Sequence, residues 1–298
     1  MSTPACQRSI AADIDRSGGE AIARRANLDC GSFVNSIKIL FIGDIVGHPG
    51  RRVVKETLPA LVSEHGVDLV LANGENAAAG VGITPPLVEE LLGAGIAVLT
   101  SGNHVYDKRE IIPYLRDHPD GRLLRPANYP AGAPGHGFYL GKTRSGIDYA
   151  VLNVQGRVFM PTLDCPFRTA DALLASIPPA VRVRILDMHA EATSEKIAIG
   201  WYLDGRVTAI VGTHTHVPTA DESVLPGGTA YITDLGMTGP YDSVIGMDKE
   251  AVIRKFLTQM PARYDVGKGD VRLSAVLIEA DPETGRAVSI QRIMRKQA

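Results

Sequence analysis

Short apolar runs alternate with segments of helical periodicity along the first half of the chain. Residues 37–42, 67–72 and 96–100 are apolar, rich in β-branched side chains and bounded by turn residues, which indicates buried strands. Between these runs, apolar side chains recur at helical spacing around Leu58 and Leu91. The alternation predicts parallel strands joined by helical crossovers, and therefore an α/β fold.

The second half continues this pattern and ends in a predicted hairpin. Strands are predicted at 138–140, 148–154, 183–188, 207–211 and 229–233, and helices at 111–115, 170–177, 195–203 and 249–257. Two further strand segments, 271–280 and 286–293, flank the turn sequence Asp281-Pro282-Glu283-Thr284-Gly285. A turn of this composition between two apolar segments is typical of an antiparallel pair.

Polar side chains that can bind metal follow five of the predicted strands. In chain order they are Asp44; Glu75 and Asn76; Asn103 and His104; His189; and His214 and His216. One such ending is unremarkable, because Asp and Asn favour turns and a single His is more often a core residue. The carboxyl ends of parallel strands meet at one edge of a sheet, where ligands bind, so the five endings together favour a metal site.

The donor set consists of oxygen and imidazole nitrogen, without cysteine. It suits Fe, Mn, Zn or Co and disfavours a structural zinc site built from thiolates. The candidates are too many for one tetrahedral ion, whereas two ions about 3.5–4 Å apart need a bridging carboxylate, which Glu75 or Asp44 can supply. His214 and His216 are two residues apart, so an extended backbone would place them on one face, one for each ion.

The charge of such a site indicates its substrate. Two divalent ions bring about +4, and Asp44 and Glu75 return about −2, so the site stays positive even with one hydroxide bound. A positive site that offers a hydroxide suits an anionic ester, and a phosphate ester in particular.

Composition excludes several other classes of protein. The chain has 298 residues, of which 45% are hydrophobic, enough for a large core in one or two domains. The formal net charge of -2 gives no basic field, so no stable nucleic-acid complex is expected. No apolar run is long enough to span a bilayer. The three cysteines are scattered and form no CxxC motif, which favours the reducing cytoplasm.

Residues 1–36 differ from the rest of the chain. They are rich in Ala, Arg, Ser and Asp and lack the apolar segment of a secretory signal. We therefore predict a disordered N-terminal extension at 1–36 and a folded domain at 37–298.

Five motifs together resemble the YmdB-type metallophosphoesterases, a branch of the calcineurin-like binuclear phosphoesterases. They are GDIVG (43–47), NGENAAAG (73–80), SGNHVYD (101–107), DMHAEATSEK (187–196) and GTHTHVPTAD (212–221). The resemblance runs from Ile37 to the C-terminus. The chain differs from the wider superfamily at two positions. Asp44 is not followed by the usual Asp-x-His, and Glu75 stands where an Asp usually bridges the two ions.

The resemblance implies a sandwich of two mixed β-sheets flanked by helices. It also implies one ion held by Asp44, Glu75, Asn76 and His216, and a second held by Glu75, Asn103, His189 and His214. Glu75 would bridge the two ions, and His104 would be the catalytic acid. The implied activity is hydrolysis of cyclic nucleotides, particularly 2′,3′-cyclic ones, by a metal hydroxide, with iron or manganese as the favoured metals.

Alternative functions remain open at this point. Within the phosphoesterases, the alternatives are a phosphomonoesterase and a phosphodiesterase that acts on small RNA. Another alternative is a nucleotide- or metal-responsive regulator, which would bind tightly and turn over very slowly. An amidohydrolase fits less well, because its His-x-His follows the first strand, whereas His214-x-His216 comes late. A homo-oligomer is compatible with each of them.

Overall fold

Thirteen strands and six helices lie within residues 36–297, the part of the chain that the computed structural model describes. The helices are α1 (Gly47–His65), α2 (Pro85–Gly93), α3 (Ile111–Asp117), α4 (Pro166–Ser176), α5 (Thr193–Leu203) and α6 (Lys249–Thr258). The strands are β1 (Ile37–Ile42), β2 (Asp44–Ile45), β3 (Leu69–Asn73), β4 (Val98–Thr100), β5 (Phe138–Lys142), β6 (Asp148–Gln155), β7 (Val183–His189), β8 (Ala209–Thr213), β9 (Ser223–Val224), β10 (Ala230–Ile232), β11 (Met237–Asp242), β12 (Gly269–Ala280) and β13 (Ala287–Lys296). The predicted extension at 1–36 lies outside the described residues, except for Ser36.

All predicted helices and strands are present, and three strands escaped prediction. Strands β2 and β9 have only two residues each, too few to leave a periodic pattern. Strand β11 contains Gly239 and Pro240, residue types that are depleted in strands. It nevertheless pairs with β12 on one side and with β2 on the other.

The first sheet has seven strands and is built around β1. Strand β1 pairs in parallel with β3, which pairs in parallel with β4, as the strand–helix–strand pattern predicted. The other edge of β1 pairs antiparallel with β12, from Ile37 opposite Ala280 to Ile42 opposite Ala275. The start of β12 pairs with β11, and β13 completes the predicted hairpin.

The second sheet has six strands in the order β5-β6-β7-β8-β10-β9. Strands β6, β7, β8 and β10 are parallel, and antiparallel strands cover both edges. In the register of β6 and β7, Gln155 lies opposite His189, so both strands end at the same level.

The side chains of β1 show how the layers stack. Ile37, Ile39 and Phe41 belong to an apolar cluster with residues of both sheets, including Val151 and Ile185. Leu40 and Ile42 of β1 belong to a second cluster with residues of α1, α2 and α3. A third cluster joins the outer face of the second sheet to α4 and α5. This arrangement confirms the predicted sandwich of two mixed sheets flanked by helices.

The helices can also be compared with the length and apolar character of a membrane-spanning segment. Among the helices of residues 36–297, none combines the length and apolar character that crossing a bilayer requires.

Candidate metal centre

Both sheets contribute side chains to one cluster at the carboxyl ends of their parallel strands. The His189 cluster consists of Glu75, Asn103, His189 and His214. The Nε2 atom of His189 lies 2.9 Å from Oε2 of Glu75, 3.1 Å from Oδ1 of Asn103 and 3.1 Å from Nδ1 of His214. Donor atoms of Glu75, His189 and His214 all lie within 4.8 Å of one another. Donor atoms that converge in this way suit the ligands of a single ion.

A second group, the His216 cluster, consists of Asp44, Asn76 and His216. The Nε2 atom of His216 lies 3.0 Å from Nδ2 of Asn76 and 3.9 Å from Oδ1 of Asp44. The backbone amide of His214 donates to Oδ2 of Asp44 at 3.2 Å, which connects this group to the His189 cluster. The structure therefore brings all seven predicted ligands into two adjoining groups.

Two buried carboxylate oxygens show that the site fits cations. Asp44 and Glu75 are fully buried, yet Oδ1 of Asp44 finds no hydrogen-bond partner among the described residues. Oε2 of Glu75 lies 2.9 Å from His189 but lacks a well-aligned donor. A buried charged oxygen without a partner is costly, and a bound cation removes that cost.

Burial and neighbouring charges shift the pKa values of these groups. Burial lowers the pKa of His189, but the charges of Glu75, Asp44 and Asp187 outweigh burial and raise it to about 9. Burial raises the pKa of Glu75, but His189 and the amide of His104 outweigh it and lower the pKa to about 2. Without metal, the His189 imidazolium therefore supplies the positive charge beside Glu75.

The pKa values of Asp44 and His214 shift in the directions expected for buried groups. Burial raises the pKa of Asp44 to about 6, although His216 and His189 oppose the change. Burial, followed by the charge of His189, lowers the pKa of His214 to about 3. Neutral imidazole is the form of His214 that binds a metal.

The segment that carries His214 and His216 is not extended, so the condition for placing both side chains on one face is not met. His214 has φ of 101° and His216 has φ of 66°, in the left-handed region that side chains other than glycine rarely adopt. This turn, rather than the alternation of an extended strand, directs each imidazole to a different cluster. Strained backbone of this kind is frequent at functional sites.

A buried ion pair holds this turn in place. Oδ2 of Asp234 accepts hydrogen bonds from the amide and the hydroxyl of Thr215, the residue between the two histidines. The same oxygen lies 2.6 Å from Nζ of Lys196, and both charged side chains are buried. The contacts of Asp234 offset part of the cost of the strained conformation.

The ring of His189 packs so closely against Gly102 that position 102 has no room for a side chain. A Cβ atom at position 102 would lie 2.1 Å from the ring of His189, closer than any real contact. Because His189 cannot move away from Glu75 without breaking the cluster, only glycine fits at position 102.

Asp187 orients His189 and escaped the sequence-based prediction. Its buried carboxylate accepts hydrogen bonds from Asn73 at 3.1 Å and from Thr213 at 2.7 Å, and a further one from Thr100. The hydroxyl of Thr213 lies 2.9 Å from Nδ1 of His189. Because this hydroxyl donates to Asp187, its oxygen accepts a hydrogen bond from Nδ1–H of His189, which leaves Nε2 available to a metal. The sequence signals were its place at the start of the DMHAEATSEK motif and its spacing, two residues before His189 on the same strand.

His104 lies beside the His189 cluster without joining it. Its backbone amide donates to Oε1 of Glu75 at 2.6 Å, and its side chain is 37% exposed. Its Nδ1 atom lies 2.7 Å from Oδ2 of Asp107. An imidazole that is held by a carboxylate and open to solvent is suited to move protons.

Comparison with known proteins agrees with the motifs and the fold. The profile described as YmdB-like protein matches residues 40–293. A Bacillus subtilis protein named 2′,3′-cyclic-nucleotide 2′-phosphodiesterase is 50% identical over 87% of this chain and 97% of its own length. A Mycoplasma pneumoniae protein named putative phosphatase/phosphodiesterase is 35% identical over 87% of this chain and 93% of its own length.

Two crystal structures have the same fold as this chain. A hypothetical protein from Thermus thermophilus superposes with a TM-score of 0.82 and 41% identity, over 88% of this chain and all of the other. A structure described as a novel phosphatase from Mycoplasma pneumoniae superposes with a TM-score of 0.82 and 34% identity, over 88% and 94% of the two chains. The chain therefore belongs to the YmdB-like family, as its five motifs indicated.

Proposed function

We propose that this protein is a metal-dependent phosphodiesterase that hydrolyses 2′,3′-cyclic nucleotides. The observation that carries the proposal is the convergence of three donor atoms on Nε2 of His189, next to buried carboxylate oxygens that lack protein donors. The name of the Bacillus subtilis relative supports the same activity and supplies the substrate class.

The proposed ligand sets follow the two clusters. Glu75, Asn103, His189 and His214 hold one divalent ion. Asp44, Asn76 and His216 hold the other, and Glu75 completes this set as the bridge. Oxygen and imidazole donors suit iron or manganese, and zinc or cobalt can also bind them.

The protein's own groups then have distinct tasks. When bound, two divalent ions polarise the phosphoryl oxygens and activate a water molecule for attack on phosphorus. As one P–O ester bond of the cyclic phosphate breaks, His104 donates a proton to the departing ribose oxygen. Asp107 holds Nδ1 of His104 at 2.7 Å and so keeps the other ring nitrogen available for that transfer. The product is a nucleoside monophosphate.

Metal analysis paired with a substrate screen tests this function. The protein would be purified without oxygen, assayed for bound metal and offered 2′,3′- and 3′,5′-cyclic nucleotides, a phosphomonoester and a short RNA. We expect two metal ions per chain and fastest turnover of the 2′,3′-cyclic nucleotides. Tight nucleotide binding with almost no turnover would instead favour a regulator. Preference for the monoester would favour a phosphomonoesterase, and preference for the RNA would favour an RNA phosphodiesterase.

A further inference from the structure

The loop between β6 and α4, residues 156–165, starts at the candidate metal centre. Its first residue, Gly156, donates its backbone amide to the carbonyl of His189 at 2.9 Å. A Cβ atom at Gly156 would lie 2.6 Å from Cβ of Ala190 and 2.6 Å from a carboxylate oxygen of Glu195. The loop is therefore tightly packed against the residues that flank a proposed ligand.

A buried carboxylate fixes the next two residues of the loop. Glu195 on α5 is only 8% exposed, and its oxygens accept hydrogen bonds from the amides of Arg157, at 3.0 and 3.2 Å, and Val158, at 3.2 Å. Proton transfer and metal binding, as proposed above, make no use of Glu195. Hydrogen bonds to a charged acceptor are stronger than those between neutral groups, so this contact restrains the backbone firmly.

A buried amide fixes both ends of the same loop. Asn128 is 1% exposed and exchanges two hydrogen bonds with the backbone of Gln155, at 2.7 and 2.9 Å. Its Nδ2 atom also donates to the carbonyl of Asp164 at 2.9 Å. Two buried polar side chains from separate parts of the chain thus position one short loop.

Phe159 is the most exposed large apolar side chain of this loop. The residue has φ of 61°, a strained value for a bulky side chain, and it is 89% exposed. Exposing an aromatic ring in this way gains nothing for folding, although the surrounding contacts hold its backbone in place. Phe159 comes three positions after Gly156, so the Cα atoms of the two residues are at most about 11 Å apart.

We propose that Phe159 forms a nucleobase-stacking platform for the substrate, an inference that rests on the proposed function. A cyclic nucleotide whose phosphate lies at the metal centre carries a flat aromatic base a short distance away. An uncharged phenyl ring recognises such a base through its face, with little dependence on base identity. Because the loop is already fixed, stacking costs little conformational entropy.

Replacement of Phe159 tests the platform, with a base-free substrate as the internal reference. Adenosine 2′,3′-cyclic phosphate contains the base, whereas glycerol 1,2-cyclic phosphate offers the same five-membered phosphodiester without it. Stacking is worth about 1–3 kcal/mol per base, so Phe159→Ala should raise KM for the nucleotide at least about fivefold. The same variant should leave both kinetic constants for the glycerol ester unchanged, and Phe159→Trp should restore nucleotide binding.

Phe256→Ala is the matched control, because Phe256 on α6 is 74% exposed. It should leave both substrates unaffected. Glu195 acts through the loop, so Glu195→Ala should raise KM for the nucleotide, and the double variant Phe159→Ala/Glu195→Ala should be no worse than Phe159→Ala. Circular dichroism and the melting temperature verify that each variant is folded.

Several outcomes would overturn the platform. These are equal losses on both substrates, no loss on either, or a changed oligomeric state of Phe159→Ala in size-exclusion chromatography, which would place Phe159 in an interface between copies of the chain. If the unaltered protein hydrolyses neither substrate, the proposed function fails instead. Calorimetric titration with adenosine 2′,3′-cyclic phosphate then still compares the dissociation constants of Phe159→Ala and the unaltered protein. The platform requires weaker binding by Phe159→Ala, and equal binding would overturn it.

Discussion

The Nε2 atom of His189 lies 2.9 Å from Oε2 of Glu75, and both side chains are fully buried. Glu75 follows β3 of the first sheet, whereas His189 ends β7 of the second. The pair therefore joins the two halves of the sandwich. Substitutions at these two positions test the metal centre most directly.

Metal content should distinguish a bridging ligand from a terminal one. Glu75→Ala should lose both ions together, because the proposed bridge serves both. His216→Ala should weaken mainly the ion held with Asp44 and Asn76. Elemental analysis of the purified variants measures this difference. A fully active protein with one ion per chain would contradict the binuclear proposal.

His104 should matter most where the leaving group needs a proton. We expect His104→Ala to keep both metals and its fold, and to lose about 10²–10⁴-fold in rate on a cyclic nucleotide. The loss on bis-nitrophenyl phosphate should be far smaller, because a nitrophenolate leaves with little help. Steady-state rates on the two substrates give the comparison.

Asp107→Asn is the companion variant, because Asp107 contacts Nδ1 of His104. It should reproduce the same substrate dependence to a smaller extent. Equal losses on both substrates, or loss of an ion in His104→Ala, would remove His104 from the proton-transfer role.

Asp187 should control metal affinity without binding the metal. Asp187→Asn disrupts the hydrogen bonds that make Thr213 an acceptor for Nδ1 of His189, so metal affinity should fall by about 10- to 100-fold. Competition with a chelator measures the affinity. Asp171→Asn, which alters an exposed carboxylate paired with Arg206, is the control and should leave it unchanged. Unchanged affinity in Asp187→Asn would reduce Asp187 to a structural role.

The metal-free protein should become less stable as the pH rises from 6.5 to 9. The pKa of His189 is raised from 6.5 to about 9, so the native state binds more protons than the unfolded state across this window. The free energy of unfolding therefore falls as the pH rises. Chemical denaturation of chelator-treated protein measures the slope, and His189→Asn should flatten it. A slope of opposite sign would contradict the assigned ion pair.

The N-terminal region should be dispensable for catalysis. A chain starting at Ser36 should fold and hydrolyse its substrate normally, because the composition changes before Ile37 and the family profile starts at residue 40. Melting temperature and turnover, compared with the full chain, test this expectation. Loss of solubility or activity would show that residues 1–35 contribute.

The sequence predicted the elements whose signal is local. Buried strands such as β1 and β7 consist of apolar runs, and the polar residues after them stand out by contrast. Parallel packing then places those polar residues at one edge, which is why all seven proposed ligands lie together. The cytoplasmic location and the absence of a stable nucleic-acid complex stay predictions.

Features that depend on distant partners escaped prediction. The role of Asp187 depends on Thr100 and Thr213, which come from two different strands. The left-handed conformation of His214 is supported by Asp234, far along the chain, and nothing in a Thr-His-Thr-His segment signals it. Glu195 belongs to one of the five motifs, but its hydrogen bonds to the 156–165 loop emerge only from the folded chain.

The pairing of β1 with β12 sets the order in which the protein can mature. Ile37, near the start of the domain, lies opposite Ala280, near its end. Asp44 lies in β2, which pairs with β11, another late strand. Until β11 has been made, the segment that carries Asp44 lacks its pairing partner. We therefore expect a chain truncated before β11 to bind less metal than the full chain.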